Sequence, residues 1–319
     1  MKTAASHQTA GRVLLSERVL FDSVQLARGP LENEKVHSFK EIESACPEVY
    51  EAVPKPIHVI VNTRNNRSVL HGVRFHSQSR PLSSDSFWIT KDGLCIVRPE
   101  LCFAQMSSVL SVPQLIKFGI ELCATYVPKP LADIGYVVRK PLTSQEELSN
   151  LAKGYGAGRQ RKIESALPWV VNNSASQRET ILYMLLCLPY RLGGYGLPKP
   201  VLNYEIPLEK DEARLAGRKL FRADLYWPEF QLDVEYDSTQ YHLDERQMEK
   251  DAIRRNILNH KGIRVISVTR NQINNREAFD GVARQIAKGL GKRIRPSRDA
   301  MLAKQEVLRR SLLENWDYS

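Results

Sequence analysis

Two neighbouring segments alternate strictly between apolar and polar side chains. Along Leu220–Trp227, Phe221, Ala223, Leu225 and Trp227 take one set of positions, and Arg222, Asp224 and Tyr226 take the other. Along Leu232–Asp237, Leu232, Val234 and Tyr236 alternate with Asp233, Glu235 and Asp237. A period of two is that of a β-strand, and Pro228–Gln231 supplies the turn between the two strands. A hairpin centred on Glu229 and Phe230 sets Asp224 opposite Glu235, with Cβ atoms about 5 Å apart, and Asp237 one pleat further along the same face.

The flanking pattern extends this motif. Ser176 stands three residues before Glu179, the spacing of a helix-capping box, and the apolar helix Ile181–Leu188 follows until Gly193, Gly194 and Pro198 end it. Beyond the hairpin, Asp244 can cap a helix running to about His260, with Met248, Ala252, Ile253 and Ile257 as its apolar stripe. Gly262 stops it, and Ile263–Thr269 predicts a buried strand. The order helix, hairpin, helix, strand, helix predicts a mixed sheet flanked by helices.

The first half of the chain is patterned differently. Short helical patterns occupy residues 10 to 52, at Val13, Leu14 and Val19 and again at Phe39, Ile42 and Ala45. Strands are predicted at Ile57–Val61, Gly72–His76 and Leu94–Val97, the last after the turn Lys91-Asp92-Gly93. A helical region then runs from Leu101 to about Ala124, and one or two short helices fall within residues 140 to 167. The Gly-rich stretch Lys153–Arg159 lacks the lysine and hydroxyl residue of a phosphate loop and follows no strand, so it reads as a basic linker. The organisation predicted is a separate α+β N-terminal domain (residues 1–165), an α/β domain with a mixed central sheet (166–291) and a basic C-terminal helix (292–319).

Charge gives this layout a direction. Lys and Arg number 46 against 36 Asp and Glu, a net charge of +10 that favours a polyanionic partner. The tail contributes: Lys292, Arg293, Arg295, Arg298, Lys304, Arg309 and Arg310 outnumber Asp299 and Glu306, on what reads as either a DNA-docking helix or a plain surface helix. No long uncharged apolar run spans a bilayer, and Met1–Leu20 lacks the apolar core of a signal peptide, so no membrane association is expected. The five cysteines (Cys46, Cys95, Cys102, Cys123 and Cys187) show no CxxC spacing, which fits a reducing, cytoplasmic setting without zinc ribbons or disulfides. His71 and His76 have no acid at ligand spacing and carry no metal expectation.

Three carboxylates on one hairpin face repel one another, and a divalent cation removes the conflict. Oxygen-only ligands suit Mg²⁺ or Mn²⁺. The competing reading is a solvated acidic face neutralised by Arg222 and nearby lysines. Arg254 and Arg255 stand where a helix could offer them to a phosphate, although Asp251 and Arg255 also make an ordinary i,i+4 pair.

The run Arg222-Ala-Asp224-Leu-Tyr-Trp-Pro228, Val234-Glu235-Tyr-Asp237, Tyr241-His242, Asp251-x-x-Arg254 and Leu258-x-x-x-Gly262-x-x-Val265 resembles the PD-(D/E)XK nuclease superfamily. It looks most like the branch related to very-short-patch repair endonucleases and to the C-terminal domain of AbiEi-type abortive-infection proteins. The resemblance covers about residues 174 to 290 and implies a restriction-endonuclease-like fold. It implies metal ligands at Glu179, Asp224 and Glu235. Asp237 stands where the superfamily at large has Lys; the branch commonly has an acid there and a His shortly after. His242 is then the candidate to orient or deprotonate water, with Gln240 in support, unless it is a strand-end histidine satisfied by hydrogen bonds.

The expected activity is metal-dependent endonucleolytic hydrolysis of phosphodiesters, in bacterial defence, repair or mobile-element biology. Its partner would be nucleic acid, DNA before RNA, contacted by Arg222, Lys250, Arg254, Arg255, Lys292, Arg293 and Arg295, with a homodimer or partner protein also compatible. The alternative is a non-cleaving, antitoxin-like DNA-binding regulator that keeps the nuclease fold as a scaffold. Such proteins usually carry an N-terminal winged helix, and residues 1 to 60 show no convincing helix-turn-helix.

Overall fold

A computed structural model describes residues 1–17, 19, 23–43, 50, 53–78, 82–128, 137–151, 157–237, 245–294 and 299–313. The described residues divide into two compact units, one within residues 1–172 and one within residues 173–315. Among the described residues no helix is long and apolar enough to cross a membrane.

The first unit is built on a six-stranded mixed sheet. Its strands are β1 (Ala4–Ala5), β2 (Val24–Leu26), β3 (Ile57–Ile60), β4 (Val73–His76), β5 (Phe87–Thr90) and β6 (Cys95–Val97), ordered β2-β5-β6-β1-β3-β4. Helix α1 (His7–Leu14) packs beside β3, and α2 (Phe39–Glu43) is a short turn of helix. The helical region expected over Leu101–Ala124 is two helices, α3 (Pro99–Met106) and α4 (Val112–Leu122). The break has a local cause: Ser111 and Gln114 form a capping box, and Pro113 in the first turn has no N–H to continue an earlier helix. A small hairpin of β7 (Tyr126–Val127) and β8 (Val137–Val138) precedes α5 (Gln145–Leu151) and α6 (Ala157–Ala166). Residues 167–169 add a short 3-10 turn packed on α4, α5 and α6, so this unit extends past the change of composition near residue 165.

The second unit runs α7 (Gln177–Cys187), β9 (Val201–Pro207), α8 (Lys210–Ala216), β10 (Leu220–Trp227), β11 (Leu232–Asp237), α9 (Glu245–His260) and β12 (Arg264–Thr269), followed by α10 (Arg270–Asn274), α11 (Arg276–Gly289) and α12 (Asp299–Leu313). The sheet order is β12-β11-β10-β9. β10 pairs antiparallel with both β9 and β11, while β11 pairs parallel with β12, a connection that needs the crossover helix α9. The chain is thus a mixed α/β protein. The alternating hairpin forms with its expected ends, and Phe221, Ala223, Leu225 and Trp227 are all buried.

Four features differ from the pattern reading. β9 is a strand the pattern reading does not include; it alternates Leu202, Tyr204 and Ile206 with Asn203 and Glu205, but only Leu202 and Ile206 are buried and Asn203 turns left-handed at φ 52°. β12 lies at the sheet edge, so only Ile266 and Val268 are buried along it. On α9 the buried positions are Ile257 and Leu258, packed with Tyr226 and Ile263, whereas Met248 and Ala252 face solvent. Ile253 is partly buried against the same cluster. Finally, Arg309 of the basic tail is buried: it donates to the Ile273 carbonyl and stacks over Phe279 at 5.0 Å, while Val307 is exposed. Lys292 and Arg293 remain exposed, and Arg295 and Asp244 lie outside the described residues.

α12 is held where Gly193, at φ 92°, lets the chain approach the Lys304 carbonyl. A Cβ there collides with that carbonyl and comes within 2.9 Å of Leu308. Gly193→Ala is therefore expected to destabilise the second unit by about 2–4 kcal/mol, through backbone strain and the clash. Urea unfolding with hydrogen exchange on α12 checks this; unchanged stability and protection would refute the packing.

Candidate functional site

Register builds the site. Asn203 falls between the pairs Leu202↔Leu225 and Tyr204↔Ala223, hence opposite Asp224. Asp224 and Glu235 follow the pair Leu225↔Val234 by one step, the facing arrangement that the alternation predicts. Glu235 in turn pairs with Ser267. One row of the sheet therefore reads Asn203, Asp224, Glu235, Ser267, a polar line across four strands.

A cleft of about 580 Å³ opens over this row. Asp224, Glu235, Asp237 and Asp251 face Arg222, Arg254, Arg255 and Arg264 around it. Carboxylates and guanidiniums both line it, so a cation and a phosphodiester could each meet opposite charge there.

The carboxylates are not equivalent. Asp224 accepts from the Tyr236 backbone N–H at 2.9 Å. Burial, then the charges of Glu179 and Glu235, push its carboxyl up to about 7, against the opposing effect of that N–H and of Arg254. Glu235 is ion-paired with the Arg254 Nη2, and Arg254 Nε donates to it at 3.1 Å. Arg254 is itself fixed by stacking over Phe221 at 4.7 Å and by donating to the Arg222 carbonyl at 2.6 Å.

Glu179 is buried in the first turn of α7. Its carboxylate accepts from the Ala175 N–H at 3.0 Å, the Ser176 hydroxyl at 2.8 Å and Asn203 Nδ2 at 2.7 Å, while the Ser176 oxygen caps the Glu179 N–H. Burial raises its pKa despite these three bonds. It acts on Asp224 through its charge, with its oxygens occupied by the cap and by Asn203. Asn203 is a residue that sequence reasoning missed. An Asn that tolerates a left-handed turn inside a strand was its only signal.

Asp233 departs furthest from expectation. The alternation sets it on the solvated polar face, yet it is 0% exposed and neither carboxylate oxygen has a hydrogen-bond donor among the described residues. The nearest cation is Arg254, at 4.0 Å. Burial, then Glu235, raise its pKa well above the ordinary value, so the neutral acid avoids the repulsion that two neighbouring carboxylates would set up.

Among the described residues no three His, Cys, Asp or Glu side chains are placed to hold one metal ion. Asp237 reaches the cleft, but the expected convergence with Asp224 and Glu235 is not a ready ligand set. Two carboxylates nevertheless suit Mg²⁺, which keeps several waters and takes its remaining ligands from substrate phosphate. Asp224 uses one oxygen for the Tyr236 N–H, leaving the other without a protein donor among the described residues, and burial, then the charges of Glu179 and Glu235, disfavour its anion in a way that a bound cation would relieve. The donor set therefore fits a single hard cation held by Asp224 and Glu235. Of the other expected residues, Arg222 is exposed and pairs with Glu205 at 3.1 Å, and Lys250 is exposed on α9. His242 and Gln240 lie outside the described residues. Arg264 and Ser267 line the cleft unanticipated.

A carboxyl at about 7 against an ordinary 3.8 binds its proton more tightly in the folded chain than in the unfolded one. Its contribution to stability is complete below pH about 4 and is lost as pH rises through 7. Asp224→Asn is therefore expected to leave stability near pH 4 little changed and to raise it at pH 8 by about 1–3 kcal/mol. Urea titrations across this range decide it, and parallel wild-type and variant profiles would sink the assignment.

Compared with known proteins, the chain matches no family model, no curated protein and no solved structure.

Proposed function

We propose that residues 173–315 form a divalent-metal-dependent endonuclease of the PD-(D/E)XK kind, hydrolysing phosphodiesters of DNA. The observation that carries this reading is the facing pair Asp224 and Glu235 on adjacent strands, at the floor of a cleft rimmed by arginines. The strand order β12-β11-β10-β9, with α7 before it and α9 crossing over, gives further support.

Asp224 and Glu235 would hold Mg²⁺, which supplies charge neutralisation at the scissile phosphate and an activated water. The chain's own groups do the rest. Arg255, on α9, neutralises and orients the phosphate from the cleft wall. Arg254 holds Glu235 in place and tempers the repulsion between Glu235 and Asp233. Asp237, at the cleft end of β11, is positioned to take a proton from water; His242 shares that role in the family resemblance.

A second reading has one observation in its favour. Arg254 already neutralises Glu235, and Asp237 stands where the superfamily at large has Lys. A cleft so arranged could bind a nucleic-acid backbone without cutting it, as an antitoxin-like regulator would.

Supercoiled-plasmid nicking in Mg²⁺ separates the two. The nuclease reading expects cutting by the wild type, with the rate falling by roughly 10²-fold or more in Asp224→Asn and Glu235→Gln. DNA affinity, read by fluorescence anisotropy, should stay within a few-fold. Equal rates in all three proteins would remove Asp224 and Glu235 from the chemistry. Tight binding with no cutting would establish the regulator.

A further inference from the structure

The first unit holds a cluster with no part in the cleft. His58 lies on β3 and His76 on β4, the edge strand of the sheet. Parallel pairing sets His58 beside Arg74 and Ile60 beside His76, so both histidines and Arg74 share one face. His76 Nε2 and His58 Nδ1 are hydrogen-bonded at 3.1 Å. The His7 ring stacks on that of His76, with centroids 3.6 Å apart. His7 begins α1 with a left-handed backbone at φ 48°, a strained conformation for a non-glycine residue.

Two amides nearby are incomplete. Gln105 is 1% exposed; its oxygen accepts from the His7 N–H at 3.0 Å, yet its Nε2 has no hydrogen-bond partner among the described residues. Gln78, two residues past His76, has the same unpartnered Nε2. A buried donor without an acceptor costs about 1–3 kcal/mol. Both would be satisfied by a ligand rich in acceptors.

The surrounding charge has one sign. The fixed charges acting on the three imidazoles are guanidiniums: Arg159 on His7 and His76, Arg12 and Arg74 on His58, Arg67 and Arg74 on His76. Among the described residues no carboxylate acts on any of them. Burial foremost, then neighbouring rings and these arginines, lowers His7 to about 2 and His58 and His76 to about 4, so the rings are neutral near pH 7. Neutral imidazoles could serve a transition metal, but the arginine field repels a dication, and no metal-holding trio forms among the described residues. Donors and positive charge at a sheet edge suit an anion instead. Arg67, Arg74 and Arg159 are exposed, and Arg67 is oriented by donating to the Ser77 hydroxyl at 2.8 Å.

We propose that His7, His58 and His76, with the arginines around them, form a second site that binds a phosphate group. The imidazole N–H groups and the two orphan amides would donate to its oxygens, and Arg74 and Arg159 would supply charge-assisted bonds from the open side.

The test is ¹⁵N-histidine NMR on the full chain, titrated with inorganic phosphate in one arm and a short thymidine oligonucleotide in another. A saturable ring-nitrogen shift of His7, His58 and His76 is expected, with affinity falling about tenfold or more in Arg74→Ala/Arg159→Ala, whose substitutions are at exposed positions. Saturation by inorganic phosphate identifies a free phosphate ligand; saturation by the oligonucleotide alone identifies a nucleic-acid backbone. Absence of any saturable shift in either arm, or identical titrations of wild type and double variant, overturns the site. Asp224→Asn should bind as the wild type does, so this result stands apart from that of the nicking assay.

Discussion

The second unit depends on a conflict it is built to contain, namely several carboxyls brought together where water is scarce. Asp224 and Glu235 face each other across the hairpin, Asp233 is wholly enclosed, and Glu179 lies close enough to raise Asp224. Uncompensated, such burial is worth several kcal/mol against folding. Three devices contain it. Asp224 and Asp233 hold their protons more tightly than free carboxyls do. Arg254 pairs with Glu235 and stands near Asp233. Asn203 and the first turn of α7 satisfy Glu179 with three donors.

This arrangement explains why the neighbouring elements lie where they do. α9 brings Arg254 to Glu235, while Ile257 and Leu258, with Ile253 partly buried beside them, pack into the apolar cluster with Phe221, Tyr226 and Ile263. Phe221 then does double duty, packing in that cluster and supporting the guanidinium plane from below. The cleft left above the row has acids at its floor and arginines at its rim, an order suited to a bound cation beneath a phosphate. The first unit shows the reverse economy: imidazoles kept neutral among guanidiniums, with donors and no acids.

Much of the central motif was legible because hairpin register is arithmetic. Once two alternating strands and their turn are assigned, the pairing of Asp224 with Glu235 follows, and both strands end where the pattern places them. The Ser176 cap and the Gly262 stop are equally local, since each depends on a few adjacent backbone groups. β9 keeps the period of two through Leu202, Tyr204 and Ile206 in an unbroken register, but Tyr204 is exposed and Asn203 adopts a left-handed conformation, which no nearest-neighbour rule foresees.

The sequence by itself determined the hairpin, its facing acids and the mixed α/β character, because these rest on periodicity and on chemistry within a few residues. Only the tertiary structure decided which acids are free to act. It turned Glu179 toward its own cap, set Arg254 against Glu235, enclosed Asp233 on a face the pattern left to solvent, and gathered His7, His58 and His76 from three separate segments. The reason is common to all four. Burial and electrostatic partnership are fixed by groups distant along the chain, and a carboxyl or imidazole has no settled charge until the fold has chosen its neighbours.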